Sequence, residues 1–318
     1  MTIKESWKTR WMTLPVIKPL IALSKSVHPY GFEGLSLFYV LQFFIKGLQE
    51  GDINTRASAV AFKLLLAFMP FAIMLFTLIP YLPIDNLEQR IITLASEGMP
   101  ASVFELFEGT LTELISRKYT TFLSLSFLLG IYYASNTINA LFDGFSASFH
   151  LTRKRNIWKQ RAYSIILILT LPIFLATAFA VLTFSNVFFD FLSENEWLSG
   201  DFSFGLLYLL KWIVVLLSLT IAITTLYNVG NTERYKWRVI TAGGSFATVM
   251  LIVVSQGFAF YVSNFGQFNK LYGSLGAILV TLIWVQLISL IILLGFELNA
   301  GISKARKTIT SKSYDALN

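Results

Sequence analysis

The sequence predicts an all-α, polytopic membrane protein with six transmembrane helices, both termini in the cytoplasm, and short amphipathic helices at the membrane surface. Composition is the first reason: of 318 residues, 55% are hydrophobic and only 14% are charged. A soluble domain usually carries about 25% charged residues to cover its surface. The second reason is a series of six long apolar stretches separated by more polar segments. Much of the protein surface is therefore expected to contact lipid.

Each apolar stretch is long enough for a helix that crosses a bilayer, which takes about 20 residues. A helix is the expected form because lipid cannot satisfy unpaired backbone groups, and the stretches lack the alternating pattern of a membrane β-barrel. Pro70 and Pro172 lie inside two of the stretches and are expected to kink the helices. The predicted spans cover residues 57–80, 121–141, 162–189, 204–227, 239–262 and 272–299.

The distribution of Lys and Arg predicts the orientation, since cytoplasmic loops carry an excess of basic residues. Basic residues precede the first span, follow the sixth, and occupy the segments between spans two and three and between spans four and five. The opposite loops contain only Arg90, Arg117, Lys118 and Lys270. This asymmetry places both termini in the cytoplasm and explains the net charge of +7 without nucleic acid as a partner. Residues 1–23 hold only short apolar runs, so no cleavable signal peptide is expected.

The chain is expected to divide into a cytoplasmic segment with an interfacial helix (1–56), a six-helix membrane domain (57–302) and a basic cytoplasmic tail (303–318). The apolar stretch 35–48 is too short to cross a bilayer. It is predicted either to lie on the membrane surface or to pack against the inner end of the bundle. The loop between spans one and two is predicted to form a short amphipathic helix that caps the bundle or acts as a gate. Its apolar positions are Phe104, Phe107, Leu111, Leu114 and Ile115.

Polar side chains inside the predicted spans are the candidate functional residues, because such groups are costly in lipid. Two basic residues seven positions apart share a face of the first span. Two amides and a carboxylate share a face of the second span, and a carboxylate and an amide close the sixth. The candidates are, in that order, Arg56 and Lys63, then Asn136, Asn139 and Asp143, then Glu297 and Asn299.

These side chains are expected to form one polar cluster, because the predicted topology brings all of them toward the cytoplasmic leaflet. Asp143 and Glu297 would then neutralise Arg56 and Lys63. Two interpretations follow. The cluster either lines a cavity open to the cytoplasm and forms a substrate pathway, or its members are interhelical pairs and caps, with Lys63 extended toward the membrane surface.

The sequence shows no catalytic constellation. It contains no Cys, and its two His residues, His28 and His150, lie far apart. The adjacent glycines Gly243 and Gly244 follow no predicted strand, so they indicate close helix packing and not a phosphate-binding loop. We therefore expect no enzymatic activity, no cofactor and no metal site.

Two segments resemble a known family. The stretch NTRASAVAFKLLLAFMPFAIML, which contains Arg56, Ala57 and Pro70, resembles the first-span motif of the YihY/BrkB family of bacterial inner-membrane proteins. The stretch LYGSLGAILVTLIWVQLISLIILLGFELNA resembles the last-span motif of that family, which closes with Gly-x-Glu-Leu-Asn at residues 295–299. The segment IYYASNTINALFDGF resembles the family more loosely. Arg56, Glu297 and Asn299 match the family pattern, whereas Lys63 stands where the family more often has an uncharged residue.

The resemblance implies six helices in the bacterial inner membrane and a link to envelope integrity. A former label of the family, ribonuclease BN, is regarded as mistaken, and a membrane ribonuclease is disfavoured here because the sequence offers no metal-binding cluster. One hypothesis is transport or flipping of a lipid or amphiphilic envelope component, which predicts a groove between spans one, two and six. The alternative is a non-transporting envelope scaffold or regulator, which predicts that the charges pair off without a cavity. Membrane lipids are the expected partners, and homo-oligomers or envelope-protein partners are compatible with either hypothesis.

Overall fold

The computed structural model describes residues 24–27, 31–32, 34–50, 52–83, 86–98, 101–148, 156–194, 201–232, 237–265 and 275–315. Several residues used in the sequence analysis lie outside these ranges. They are residues 1–23, His28, Lys270, residues 149–155 (which include His150) and residues 233–236. The last two ranges hold most of the basic residues of their loops.

Nine α-helices of three turns or more account for most of the described residues, and no strand occurs among them. The helices are α1 (Leu37–Glu50), α2 (Ile53–Leu78), α3 (Leu87–Gly98), α4 (Ala101–Ser116), α5 (Thr120–Ser146), α6 (Ile157–Glu194), α7 (Asp201–Gly230), α8 (Ala242–Phe265) and α9 (Leu275–Asp315). A short 3₁₀ turn, Ile79–Tyr81, extends α2. Helix α9 continues without a break across residues 302–303, where the sequence suggested that a separate tail begins.

Five helices among the described residues are long and apolar enough to cross a membrane, so the protein is a multi-pass membrane protein by length and composition. They are α2, α6, α7, α8 and α9, which correspond to predicted spans one, three, four, five and six. The second predicted span is helix α5, which has 27 residues but is not one of the five. Its second half carries Ser135, Asn136, Thr137 and Asn139, and these lower its hydropathy.

Helices α2 and α5 run antiparallel and in contact along their whole length. At one end the Arg56 Nη1 donates to the Gly144 carbonyl at 2.6 Å. In the middle the Thr137 hydroxyl donates to the Lys63 carbonyl at 3.0 Å. At the other end the hydroxyls of Tyr81 and Thr120 lie 2.9 Å apart. We refer to these two ends of the bundle as the Arg56 end and the Tyr81 end.

Helix α9 is the central element, since it packs against α1, α2, α5 and α8. The core lies toward the Arg56 end and is built around three aromatic rings. Phe145 of α5 and Phe296 of α9 stack with ring centroids 4.0 Å apart, and Tyr227 of α7 meets both rings edge-on. Helix α6 packs mainly against α5 and α7 and so lies at the periphery of the bundle.

Helix α1 packs against the Arg56 end of α9, as one of the two interpretations of this stretch expects. Val40 is fully buried there with Leu298 and Ile302. Gly301 faces α1 there, and a Cβ at that position would make ordinary contact with the Phe44 amide nitrogen, 3.4 Å away. The opposite side of α1 exposes Tyr39, Leu41 and Ile45. An apolar face left open at a bundle end is also typical of an interfacial helix.

Helices α3 and α4 lie at the Tyr81 end. Leu111 and Ile115 of α4 are buried against Ile79, together with apolar side chains of α3. The helical spacing predicted for this loop is therefore present, and two of its apolar positions pack onto the end of α2.

Substitution of Gly243 by Ala is expected to destabilise the protein, because a Cβ at this position would overlap the Gly295 carbonyl oxygen. Backbone on the facing helix cannot move aside cheaply, so the expected cost is about 1–3 kcal/mol or more. The matched control is Gly257→Ala on the same helix, whose Cβ would meet nothing within 4 Å. Thermal unfolding of the purified variants in detergent measures the difference. Equal unfolding temperatures for the two variants would contradict the packing described here.

Candidate functional site

A buried ion pair joins the first and last membrane helices. The Arg56 Nη2 on α2 lies 2.9 Å from the Glu297 Oε1 on α9, and the two side chains are 10% and 0% exposed. Arg56 also donates to the Gly144 carbonyl on α5, and the Ser148 hydroxyl just after α5 donates to Glu297 Oε2 at 2.7 Å. Two charges from α2 and α9 are thus bonded to each other and to the end of α5.

This pair acts as a clamp on three helices. A charge left unpaired after removal of its partner in a buried site costs about 3–5 kcal/mol. Separation of α2, α5 and α9 at the Arg56 end would leave both buried charges without their partners. We call this unit, α2, α5 and α9 held by Arg56 and Glu297, the clamped unit.

The three polar residues of α5 bond to α6 and not to the ion pair. Arg161 donates to Asn136 Oδ1 at 2.7 Å, Ser164 donates to Asn139 Oδ1 at 2.8 Å, and Gln160 donates to Asp143 Oδ1 at 2.8 Å. We call these three hydrogen bonds the α5–α6 ladder. The Arg161 guanidinium also lies over the exposed ring of Tyr132, 5.2 Å from its centroid.

Asn299 has a third environment, at the beginning of α8. Its Oδ1 accepts from the Gly243 amide at 2.8 Å, and its Nδ2 donates to the Thr241 hydroxyl at 3.1 Å. Asn299 on α9 therefore supplies a cap to a different helix, which satisfies one of the amides that have no partner within α8.

Lys63 stands apart from the other candidates. Its side chain is half-buried, and its carbonyl accepts from Thr137. Among the residues that the structure describes, its ammonium makes no hydrogen bond or ion pair.

The structure thus corrects the grouping that the sequence suggested. Only Arg56 and Glu297 come together, whereas Asp143 is exposed and bonded to Gln160. The reason is rotational: positions 136, 139 and 143 form one stripe of α5, and that stripe faces α6. The side of α5 that faces α2 carries Thr137 and Gly144 instead.

An apolar groove of about 400 Å³ lies between α2, α5, α6 and α9, beside the middle of α2 and of α5. Its walls are side chains and small residues of the described ranges, among them Phe68, Phe71, Gly130, Leu171, Pro172 and Trp284. No charged side chain is among the described residues that line it. The groove is open where the small residues Ala67, Gly130 and Ala134 line it. In the sequence, these small residues within apolar stretches are the feature that indicates such a groove.

A second cavity, of about 260 Å³, lies at the Arg56 end between the end of α7, the beginning of α8 and the last part of α9. It is lined by polar residues that the sequence analysis did not single out, apart from Asn299. The sequence gives no simple signal for it, because its walls come from three helices distant in the chain. Among the described residues no group of three or more His, Asp or Glu is arranged to hold a metal ion.

Comparison with known proteins places the chain beside bacterial membrane proteins. The family model described as Virulence factor BrkB matches residues 44–316. The putative ribonuclease-like protein YfkH of Bacillus subtilis (strain 168) is 28% identical, over 84% of this chain and 95% of the relative. A UPF0761 membrane protein of Vibrio campbellii (strain ATCC BAA-1116) is 24% identical, over 83% of this chain and 82% of the relative. A UPF0761 membrane protein of Aggregatibacter aphrophilus (strain NJ8700) is 22% identical, over 83% of this chain and 91% of the relative. No solved structure matches the chain.

A double-mutant cycle tests whether Arg56 and Glu297 stabilise the fold as a unit. Glu297→Leu alone is expected to lose about 3–5 kcal/mol, because it leaves the Arg56 guanidinium buried without its carboxylate. Arg56→Met combined with Glu297→Leu is expected to recover much of this loss, because an apolar pair carries no desolvation cost. Unfolding in detergent of the two single variants and the double variant gives the coupling energy. Losses that simply add would show that the two residues do not act together.

Proposed function

The chain belongs to the BrkB virulence factor family, and from that premise we propose that it is a six-span bacterial inner-membrane protein that binds an amphipathic envelope lipid and moves it between leaflets. The observation that carries this proposal is the apolar groove, which adjoins the polar α5–α6 ladder. In this role the protein would support envelope integrity.

The pairing of α2 with α5 supports a sixth span. Helix α5 is about 40 Å long, which exceeds the roughly 30 Å hydrocarbon core of a bilayer. It accompanies α2 from the Arg56 end to the Tyr81 end, so it crosses wherever α2 crosses. Its outward side exposes Phe122, Leu125 and Leu128. With six spans, the basic segments of the chain fall on one side, and both termini are cytoplasmic.

The groove suits an acyl chain, but it cannot by itself select one lipid. Lipid tails are as apolar as Leu, so moving a tail from the bilayer into the groove gains little free energy. Selectivity must come from contacts with the headgroup. The ladder can supply these contacts, since Arg161 and Ser164 continue on α6 the same helical stripe that reaches the groove at Ile168, Leu171 and Leu175.

The strengths of the contacts indicate which wall of the groove moves. In the clamped unit, a separation that leaves either buried charge without its partner costs about 3–5 kcal/mol. The ladder consists of three polar contacts between membrane helices, which average about 0.6 kcal/mol each. The first half of α6 is thus the wall that separates most easily from the rest. Pro172 lies in the groove wall and lacks the amide that would bond to the preceding turn, so α6 can bend there.

A passing headgroup can take over the ladder's hydrogen bonds. Asn136, Asn139 and Asp143 offer acceptors, whereas Arg161, Ser164 and Gln160 offer donors. Each contact that α5 and α6 lose on separation can be replaced by one with the headgroup. The polar track therefore lowers the cost of moving a charged group along a route that begins at the Arg56 end.

A non-transporting envelope scaffold is the second candidate. The observation in its favour is that the charges of Arg56 and Glu297 pair with each other, as that hypothesis requires. It does not account for the groove, and transport is therefore preferred.

Filling the groove is expected to stop lipid movement. Gly130 lines the groove, and a side chain at this position would enter open space, so Gly130→Phe is expected to fold and to obstruct the groove. The measurement is leaflet exchange of fluorescently labelled phospholipids in proteoliposomes of the purified full chain. We expect exchange to fall at least about tenfold, which corresponds to an added barrier of about 1.4 kcal/mol.

The matched control is Gly205→Phe on α7, since a Cβ there also meets nothing within 4 Å, and the residue lies outside the groove. This variant is expected to retain exchange. If the unaltered protein moves no lipid beyond the rate in protein-free vesicles, with or without a proton gradient, the transport proposal fails and the scaffold is preferred. Equal loss in the two variants would show that the groove is not the route.

A further inference from the structure

The cavity at the Arg56 end is separate from the groove, since the two share no lining residue. It is formed where α7 ends, α8 begins and α9 runs past both. Phe296, Ala300 and Ile302 form an apolar part of its wall. The remaining wall is strongly polar, and its composition indicates the chemistry of a ligand.

The cavity has a cationic lining. Two arginines, Arg238 and Arg306, contribute to it, and no carboxylate is among the described residues that line it. Glu297 of α9 does not line the cavity, and it is bonded to Arg56 and Ser148. A guanidinium presents a planar fork of donors that matches the oxygens of a phosphate.

Neutral groups complete the lining and fix its geometry. The Asn228 amide donates to the Arg238 carbonyl at 2.6 Å, which holds the backbone at Arg238 against the end of α7. Asn299 and Thr241 bond to the first amides of α8 and hold the beginning of that helix at the cavity. The positive end of the α8 dipole is therefore directed to this region.

A buried hydroxyl lies beside the cavity. The Ser303 Oγ is buried and has no hydrogen-bond partner among the described residues, although Ser303 lines the cavity. A buried polar group usually has a partner, because leaving it without one costs free energy. The cavity does not reach this oxygen, so the Ser303 side chain would have to turn before its hydroxyl could donate to an anion there.

We propose that this cavity binds a phosphoryl group. Its volume of about 260 Å³ leaves room for part of the molecule that carries the phosphate. That molecule is either a soluble phosphomonoester or a lipid with an exposed phosphate. The proposal does not depend on lipid transport, because the groove plays no part in it.

The test uses the full chain in nanodiscs and has two arms. In the first, glycerol 3-phosphate is titrated into protein in neutral phosphatidylcholine nanodiscs, and binding is followed by calorimetry. In the second, retention of phosphatidic acid from mixed nanodiscs is followed by native mass spectrometry. Binding in the first arm identifies a soluble source, and binding in the second arm alone identifies a lipid.

The cavity variant is Arg238→Gln combined with Arg306→Gln. Loss of charge-assisted hydrogen bonds is expected to weaken binding at least about tenfold. The matched control is Lys304→Gln combined with Lys307→Gln, which removes the same charge from the same part of α9 outside the cavity lining. The control is expected to bind as the unaltered protein does. Arg306 is exposed, so Arg306→Gln alone is expected to fold and must weaken binding by itself.

Three results would overturn the proposal. One is the absence of binding in both arms. Another is equal weakening in the cavity variant and the lysine control, which would show that the general basic charge of this end attracts the anion. The third is unchanged binding in Arg306→Gln. None of these results depends on whether the groove variant Gly130→Phe alters lipid exchange, so failure here and failure of the proposed function are distinguishable.

Discussion

The buried ion pair between Arg56 and Glu297 is the constraint on which the arrangement of the bundle depends. It joins the beginning of the first membrane helix to the last one, and through Gly144 and Ser148 it fixes the end of α5 as well. Because two unpaired charges cannot be left in such a site without a large cost, α2, α5 and α9 must stay together at this end. The stacked rings of Phe145 and Phe296 lie in the same part of the core.

A clamp on three helices determines what the remaining helices can do. Helix α6 lies outside the clamped unit and meets α5 through three polar contacts of modest strength. It also forms one wall of the groove, and it contains Pro172 at that wall. The proposed function follows from this difference in strength: a lipid enters between a fixed unit and a wall that separates at low cost. The cavity at the Arg56 end borders α7, α8 and α9 and is independent of that motion.

Much of the architecture could be predicted from the sequence, because long apolar stretches and helical spacing are local properties. Every predicted span lies largely in a helix, although α5 is too polar to qualify on composition alone. The partners of the polar residues were harder to predict. Spacing places Asn136, Asn139 and Asp143 on one face of α5, but it does not reveal that this face meets α6. Arg56 and Glu297, 241 residues apart, meet only in the folded bundle. The groove and the cavity depend on packing among several helices, which no local pattern records.

The most direct test of the account is to lock α6 to α5 and measure lipid exchange. The chain has no Cys, so Asn139→Cys with Ser164→Cys introduces a single disulfide in the ladder, where the two native side chains are hydrogen-bonded. Thr220→Cys with Thr248→Cys, whose hydroxyl oxygens lie 3.1 Å apart, is a matched pair between α7 and α8. Oxidation of the first pair is expected to stop exchange, and reduction is expected to restore it, whereas the second pair is expected to have little effect. Undiminished exchange with the α5–α6 disulfide formed would contradict this expectation.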